Sequence, residues 1–286
     1  MRIAVIGTGR WGKNIANTVE QKYDCVRIDI DDTISYDYDA AIIATPAATH
    51  HFIANSHLDK KIPILIEKPV STENTTVQHI CDNAVKNNTV CQAGHILCFT
   101  PNTQWIKNNY DLQKLKLFES RRLNWGTIPA GDVDLALHLG VHDLALLDYL
   151  KREEILKVEK LDTTTTNSTH EDYTIWKINF KSFTAMIHAG WHYPTKCRSI
   201  SLVGDYQSIF ADDNTDTINV FEGRYYNSLT TDKQEIINTK EKLSPLAKQI
   251  DNFVFSIMTN NLESINGISH IRRVYENLQA LRIENV

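Results

Sequence analysis

The opening stretch "MRIAVIGTGRWGKN" constrains this chain more than any other: an apolar run, then glycines at 7, 9 and 12, then residues able to begin a helix. The apolar run is what a strand buried on both faces of a parallel sheet requires. In a strand–turn–helix unit Gly7 permits the tight turn, Gly9 lets backbone approach a pyrophosphate, and Gly12 allows the helix to pack close on the strand. Thr8 lies inside the turn. The N–H groups around Arg10, Trp11 and Lys13 then face phosphate with the helix dipole behind them. The alternative is a purely structural turn with Asp29 as an exposed strand end.

The context favours the cradle. A helical segment from about Gly12 to Gln21 leads to a second strand, "CVRIDID", whose Asp29 lies 17 positions beyond Gly12. A carboxylate there accepts hydrogen bonds from an adenosine ribose and repels a 2′-phosphate, which favours NAD over NADP, although the neighbouring Arg27 weakens the preference. A third strand, "DAAIIATP", breaks at Thr45-Pro46; a helix with His50, His51 and His57 follows, and "KIPILIEKP" supplies a fourth strand ending at Glu67-Lys68-Pro69. Such alternation implies right-handed crossovers and a doubly wound sheet that binds ligands at the carboxyl ends of its strands.

At 286 residues the chain is too long for one comfortable core, so two domains are expected. A net charge of −5 argues against nucleic acid as a partner. No apolar stretch approaches membrane-spanning length and Met1 leads straight into a strand, so a cytoplasmic location without membrane attachment is expected. The cysteines at 25, 81, 91, 98 and 197 show neither CxxC nor a paired zinc spacing and read as reduced structural thiols.

The chain resembles the Gfo/Idh/MocA family of NAD(P)-dependent oxidoreductases. The motifs that carry the resemblance are "GTGRWG" at 7–12, "ATPAATH" at 44–50, "EKP" at 67–69, "AGHILCFTP" at 93–101, "HDLALLDYL" at 142–150 and "WHYPTKCRSISLVG" at 191–204. The resemblance implies α/β architecture: a Rossmann domain (1–118) followed by an α+β domain (119–286) with an open, mostly antiparallel sheet, and an active site between them. "GDVDLALHLGVHDLALLDYL" reads as an apolar helix, and β-rich runs such as "YTIWKINF" and "TAMIHAGW" follow it. "TTTTNST" at 163–169 ends one strand and leads to the next. The terminal region from about 245 is helical, with Ser244 as cap and Pro245 in the first helical position.

The motifs are similar to those of the subgroup acting on nucleotide-linked amino sugars for surface polysaccharides. The implied reaction is hydride exchange between nicotinamide and a sugar hydroxyl or ketone, coupled to proton transfer. Lys68 matches the family's characteristic lysine, able to polarise the carbonyl oxygen or relay a proton, and Pro69 restricts it to extended backbone, with a cis bond open. His142 matches the active-site histidine; an imidazole with an ordinary pKa of roughly 6.5 serves as acid or base near neutrality. The NAD-binding set is then Gly7, Thr8, Gly9, Arg10, Trp11, Gly12, Asp29, Thr45, Pro46, His50, Glu67 and Lys68, and the substrate-binding set Lys68, His95, His138 and His142.

Two departures stand out. Many relatives have aspartate four residues before the active-site histidine, where this chain has His138; the missing carboxylate would have to come from Asp134 or Asp143. Cys98 replaces a frequent arginine, which leaves anion contacts on that side in doubt. Asp134, His138 and His142 at helical spacing could hold a metal, but packing beneath the site is favoured and no metal is expected. His95 is either a substrate-side group or a hydrogen-bonded loop histidine; Lys196 and Arg198 either meet a diphosphate or lie on a solvated strand edge. Two other functions stay open: a regulatory dinucleotide-binding protein without chemistry, and a dehydrogenase of free sugars or inositols. The open sheet predicts a homodimer or homotetramer.

Overall fold

The computed structural model describes residues 1–126, 133–165, 171–223 and 233–282. The short apolar runs of the first hundred residues become parallel strands bounded by turn residues, and all but the edge strand β2, where Asp24 and Arg27 are exposed, are buried on both faces. In order these are β1 (Arg2–Ile6), α1 (Arg10–Val19), β2 (Asp24–Ile28), β3 (Ala40–Ile43), α2 (Ala47–Leu58), β4 (Ile64–Ile66), α3 (Asn74–Lys86) and β5 (Cys91–Ala93). The sheet order is β2-β1-β3-β4-β5, all parallel. After β2 the chain therefore crosses to the far side of β1, and the carboxyl ends of β1 and β3 flank the point where the order reverses.

The second sheet has eight strands in the order β13-β12-β11-β10-β6-β9-β8-β7. They are β6 (Leu115–Trp125), β7 (Ile155–Thr164), β8 (Tyr173–Phe180), β9 (Thr184–Gly190), β10 (His192–Gly204), β11 (Gln207–Asp212), β12 (Thr217–Glu222) and β13 (Lys233–Asn238). Every pairing is antiparallel except β6 with β9. Helices α4 (Pro101–Asn109) and α5 (Val141–Leu150) accompany it. Strict alternation along β8 buries Thr174, Trp176, Ile178 and Phe180, while the residues between them face the other way and are half-buried. On that opposite face, in β10, β11 and β13, Val203, Phe210 and Ile236 are exposed.

Several boundaries differ from the sequence reading, each for a local reason. Helix α1 starts at Arg10 because Gly9, with extended backbone, serves as its N-cap. Strand β2 stops at Ile28, since Asp29 turns the chain with an Asp32 N–H donating to its carbonyl. The single apolar helix expected over 131–150 is, within the described residues, two pieces, a π turn over Ala136–Gly140 running into α5. The terminal helical region is likewise two helices, α6 (Pro245–Thr259) and α7 (Ile268–Arg282). Asn260 closes α6 in the left-handed conformation, and the Ser244 hydroxyl accepts from Ala247 N–H at its start, with Pro245 in the first turn as expected. Thr164 ends β7 and Tyr173 begins β8; positions 166–169 of "TTTTNST" lie outside the described residues.

Contacts divide the chain into one unit of Met1–Phe99 with Leu243–Glu276 and another of Thr100–Lys242 with Asn277–Val286. The division is thus not linear along the chain as in the expected 1–118 and 119–286. The reason lies in α6: Leu246, Ile250, Phe253 and Val254 join Ile3, Val5, Ile15 and Val19 in one core cluster. The five cysteines are all free thiols, and burial pushes those of Cys81 and Cys91 upward. Among the described residues no helix is long and apolar enough to cross a membrane. Phe253 is fully buried, so Phe253→Ala should cost about 3–5 kcal/mol of stability in urea denaturation, and a loss within error would contradict the placement of α6 in the first unit's core.

Candidate active site

The three glycines occupy three physically different positions. Gly7 has φ +94°, a left-handed conformation costly for other residues, and a Cβ there would lie 2.7 Å from the Ala44 carbonyl oxygen. At Gly12 a Cβ would lie 1.8 Å from the Gly7 carbonyl oxygen, so only glycine lets α1 approach the end of β1 this closely. A Cβ on Gly9 would meet no protein atom within 4 Å. No side chain caps α1, so its first N–H groups are directed at whatever occupies the adjacent space.

That space is a cleft of about 660 Å³ in the first unit. Of the residues expected there, Gly7, Gly9, Arg10, Trp11, Gly12, Asp29, Thr45 and Pro46 line it; Ile30, Ile34 and Ile53 add an apolar stretch that the sequence reading missed. The Thr8 hydroxyl donates to one Asp29 carboxylate oxygen and Ile30 N–H to the other. The Thr8 hydrogen bond holds the Asp29 carboxyl below its ordinary pKa, so it is an anion at neutral pH. Arg27 points its guanidinium elsewhere, donating twice to Glu20 at 2.8 Å and to Asn17 at 2.7 Å. Its guanidinium is thus paired at the C-terminal end of α1.

His50, Glu67 and Lys68 do not line this cleft. Glu67 is buried and accepts from the Trp11 indole and, at 3.2 Å, from Lys68 N–H; burial pushes its carboxyl pKa up against both. Its carboxyl group sits where a Cβ on Gly94 would be, 2.9 Å away, which accounts for glycine in "AGH". His50 is buried with Nδ1 3.0 Å from the Pro69 carbonyl oxygen and Nε2 2.8 Å from that of Thr45. The Lys68-Pro69 bond is cis. His95 is fully buried, with Nδ1 2.9 Å from His270 Nε2 and its ring stacked on Tyr275. Cys98, where an anion-binding arginine was missed, is buried as well.

His142 stands on α5 in the second unit, next to Asp143. The Asp143 carboxylate is fully buried in a two-point pair with Arg122, at 2.8 and 3.1 Å. Asp134 caps the Leu137 N–H at 2.8 Å and pairs with Arg282 at 2.7 Å. Each of the two carboxylates considered for orienting His142 thus has an arginine partner. His138, in the π turn, accepts the Trp191 indole N–H on Nδ1 at 2.8 Å. An indole only donates, so Nδ1 carries the lone pair and the ring proton is on Nε2. Arg198 is bound to the Leu123 carbonyl and to Asn124, and burial lowers its pKa to about 10; Lys196 is exposed.

A glycine turn at the reversal of a doubly wound parallel sheet is the arrangement of a dinucleotide-binding fold, and the second unit carries a large mixed sheet. Residues 27–95 match the model of the oxidoreductase family with an NAD-binding Rossmann fold, GFO_IDH_MocA. UDP-N-acetylglucosamine 3-dehydrogenase of Acidithiobacillus ferrooxidans is 24% identical over 152 residues, a match taking in 51% of this chain and 46% of the relative, less than half of its length. The solved structure of that organism's UDP-N-acetylglucosamine 3-dehydrogenase GnnA superposes with a TM-score of 0.89 at 19% identity, covering 99% of this chain and 96% of the other. An oxidoreductase of Agrobacterium radiobacter, solved with NAD+, L-tartaric acid and magnesium, gives 0.84 at 11% identity, covering 100% and 98%. At these identities the likeness concerns the fold.

The glycine geometry makes a paired prediction. Gly12→Ala should lower the melting temperature by several degrees, since about 1–3 kcal/mol of overpacking has no flexible neighbour to absorb it. Gly9→Ala should leave it unchanged. Equal melting temperatures for both variants would contradict the packing described for α1.

Proposed function

We propose that this protein is an NAD-dependent oxidoreductase acting on a hydroxyl or ketone of a nucleotide-linked amino sugar, of the kind used for surface polysaccharides. The observation that carries the cofactor assignment is the uncapped start of α1 facing the cleft beside the Asp29 anion. Bare N–H groups suit a diphosphate, and a carboxylate suits a ribose diol while repelling a 2′-phosphate. The apolar Ile30, Ile34 and Ile53 suit the flat face of an adenine. The substrate class rests on the similarity to UDP-N-acetylglucosamine 3-dehydrogenase.

When bound, NAD supplies a hydride acceptor. The chain's own residues manage the proton and the charge. We assign proton transfer to Lys68 and His142, the histidine taking the hydroxyl proton as the carbon–hydrogen bond breaks and the lysine ammonium stabilising negative charge by hydrogen bonding. In the reverse direction His142 returns the proton. We assign His138 to substrate binding in the same unit as His142. The exposed apolar residues Val203, Phe210 and Ile236 share one face of the large sheet, and we assign that face to association of copies of this chain into a dimer or tetramer.

Calorimetry should give tighter binding of NAD than of NADP by at least about tenfold, or about 1.4 kcal/mol, and Asp29→Ala should erase most of the difference. Gly9→Ala should weaken NAD binding without a stability change. With NAD and a panel of UDP- and dTDP-amino sugars, absorbance at 340 nm should reveal turnover, and Lys68→Met and His142→Ala should each reduce it by about 10²–10⁴-fold. Tight NAD binding without turnover across the panel would favour the regulatory reading instead. Light scattering should report a dimer or tetramer, and Phe210→Glu combined with Ile236→Glu should shift it to monomer; a wild-type monomer at micromolar concentration would overturn the interface assignment.

A further inference from the structure

Lys68 reaches a substrate from a segment that must itself be held still. A lysine side chain is a flexible four-carbon stem, so the position of its ammonium depends on where the backbone beneath it is fixed. Pro69, next in the chain, has no N–H to contribute, and Val70 lies beyond the last residue of β4. The segment's polar groups are taken up by two side chains distant in sequence. His50 of α2 meets the Pro69 carbonyl oxygen with Nδ1 at 3.0 Å and the Thr45 carbonyl oxygen with Nε2 at 2.8 Å. Tyr275 of α7 accepts the Val70 N–H on its hydroxyl oxygen.

We propose that His50 and Tyr275 are positioning residues that clamp Lys68-Pro69-Val70 from two sides and thereby set the direction of the Lys68 side chain. Both are buried, His50 at 1% and Tyr275 at 2% exposure, so water does not compete for these contacts. The His50 ring lies between the Pro69 carbonyl oxygen and that of Thr45, which lines the cleft; burial lowers its pKa and favours the neutral ring, whose single N–H donates to one of the two oxygens at a time. Tyr275 is braced in turn: its ring stacks on His95 at 6.1 Å with 19° between planes, and His95 meets His270 of the same helix. Burial keeps the Tyr275 hydroxyl protonated by pushing its pKa upward, so it can donate as well as accept. The clamp gives His50 a role distinct from cofactor contact and gives α7 a role in the site. It deepens the reading above, because fixing Lys68 has a purpose only if Lys68 acts on a substrate.

The test reads Lys68 directly. Reductive methylation with ¹³C-formaldehyde places an NMR label on each lysine, and the Lys68 signal is assigned by its loss in Lys68→Met. Tyr275→Phe and His50→Leu should shift and broaden that signal and change its labelling rate by at least about threefold, with the Lys13 signal unmoved; His50→Gln, which keeps one N–H donor, should restore most of it. Tyr275→Phe should also lower kcat by about tenfold or more while leaving NAD affinity within about twofold, as expected of a misplaced group rather than a lost binding contact. A Lys68 signal identical to wild type in both variants would overturn the clamp. Should the variants fail to fold, hydrogen exchange on the unaltered protein decides: the Val70 amide should exchange as slowly as those of β4, and exchange at a loop's rate would overturn it. Absence of turnover with every sugar would remove the oxidoreductase reading, while the label and the exchange rate would still judge the clamp.

Discussion

The contact on which the first unit depends is the approach of α1 to the Gly7 carbonyl, so close that a Cβ on Gly12 would stand 1.8 Å from the oxygen. Helix and strand can meet there only because position 12 lacks a side chain. Once they do, the helix axis is fixed, and its uncapped N–H groups point into the crevice at which the strand order reverses between β1 and β3. Gly7 contributes from the other side: its left-handed turn places it against the Ala44 backbone at the end of β3. Two strand ends and one helix start are thereby locked into a single edge, and Gly9, with nothing within 4 Å of its missing Cβ, is the position left open to a ligand.

From that edge the structure leads to the lysine. Trp11, on the first turn of α1, donates its indole N–H to Glu67, and Glu67 accepts from the Lys68 backbone. The carboxyl group is in opposed fields: burial favours its neutral form, and both donors together with the Lys68 charge favour the anion. A carboxylate in the low-dielectric interior attracts a neighbouring ammonium strongly, whereas a neutral acid does not. Glu67 is therefore the point at which α1 and the Lys68 backbone meet, and anything that moves Trp11 moves a partner of Glu67.

The fold was legible where one short motif has one cheap physical solution. Gly7, Gly9, Gly12 and the acidic end at Asp29 could be given separate roles before any coordinates, because turn conformation, ligand approach and helix packing each exclude side chains for a different reason. Alternation of short apolar runs with helices gave the parallel sheet on the same grounds. What the sequence could not disclose was long-range: α6 enters the first unit's core from more than two hundred residues downstream, and its amphipathic pattern says that it packs but not against what. Tyr275 sits in an ordinary helical pattern, so nothing local marks it as the acceptor for Val70. His95 and His50 read as site residues by motif, yet both are buried among backbone and ring partners. The π turn at 136–140 was hidden as well, since a uniformly apolar stretch carries no signal for an extra residue per turn.

The replacement at position 138 changes how the charge of the proposed reaction must be handled. A carboxylate there would stabilise an imidazolium at His142, but His138 is held neutral by the Trp191 indole, and the nearby Asp134 and Asp143 are bound to Arg282 and Arg122. Freeing Asp143 would strand the buried Arg122 guanidinium, a cost that a surface pair would not carry. The buried Arg122–Asp143 pair therefore ties α5 to β6 at fixed charge, and the Trp191 indole fixes the tautomer of His138 on the preceding turn.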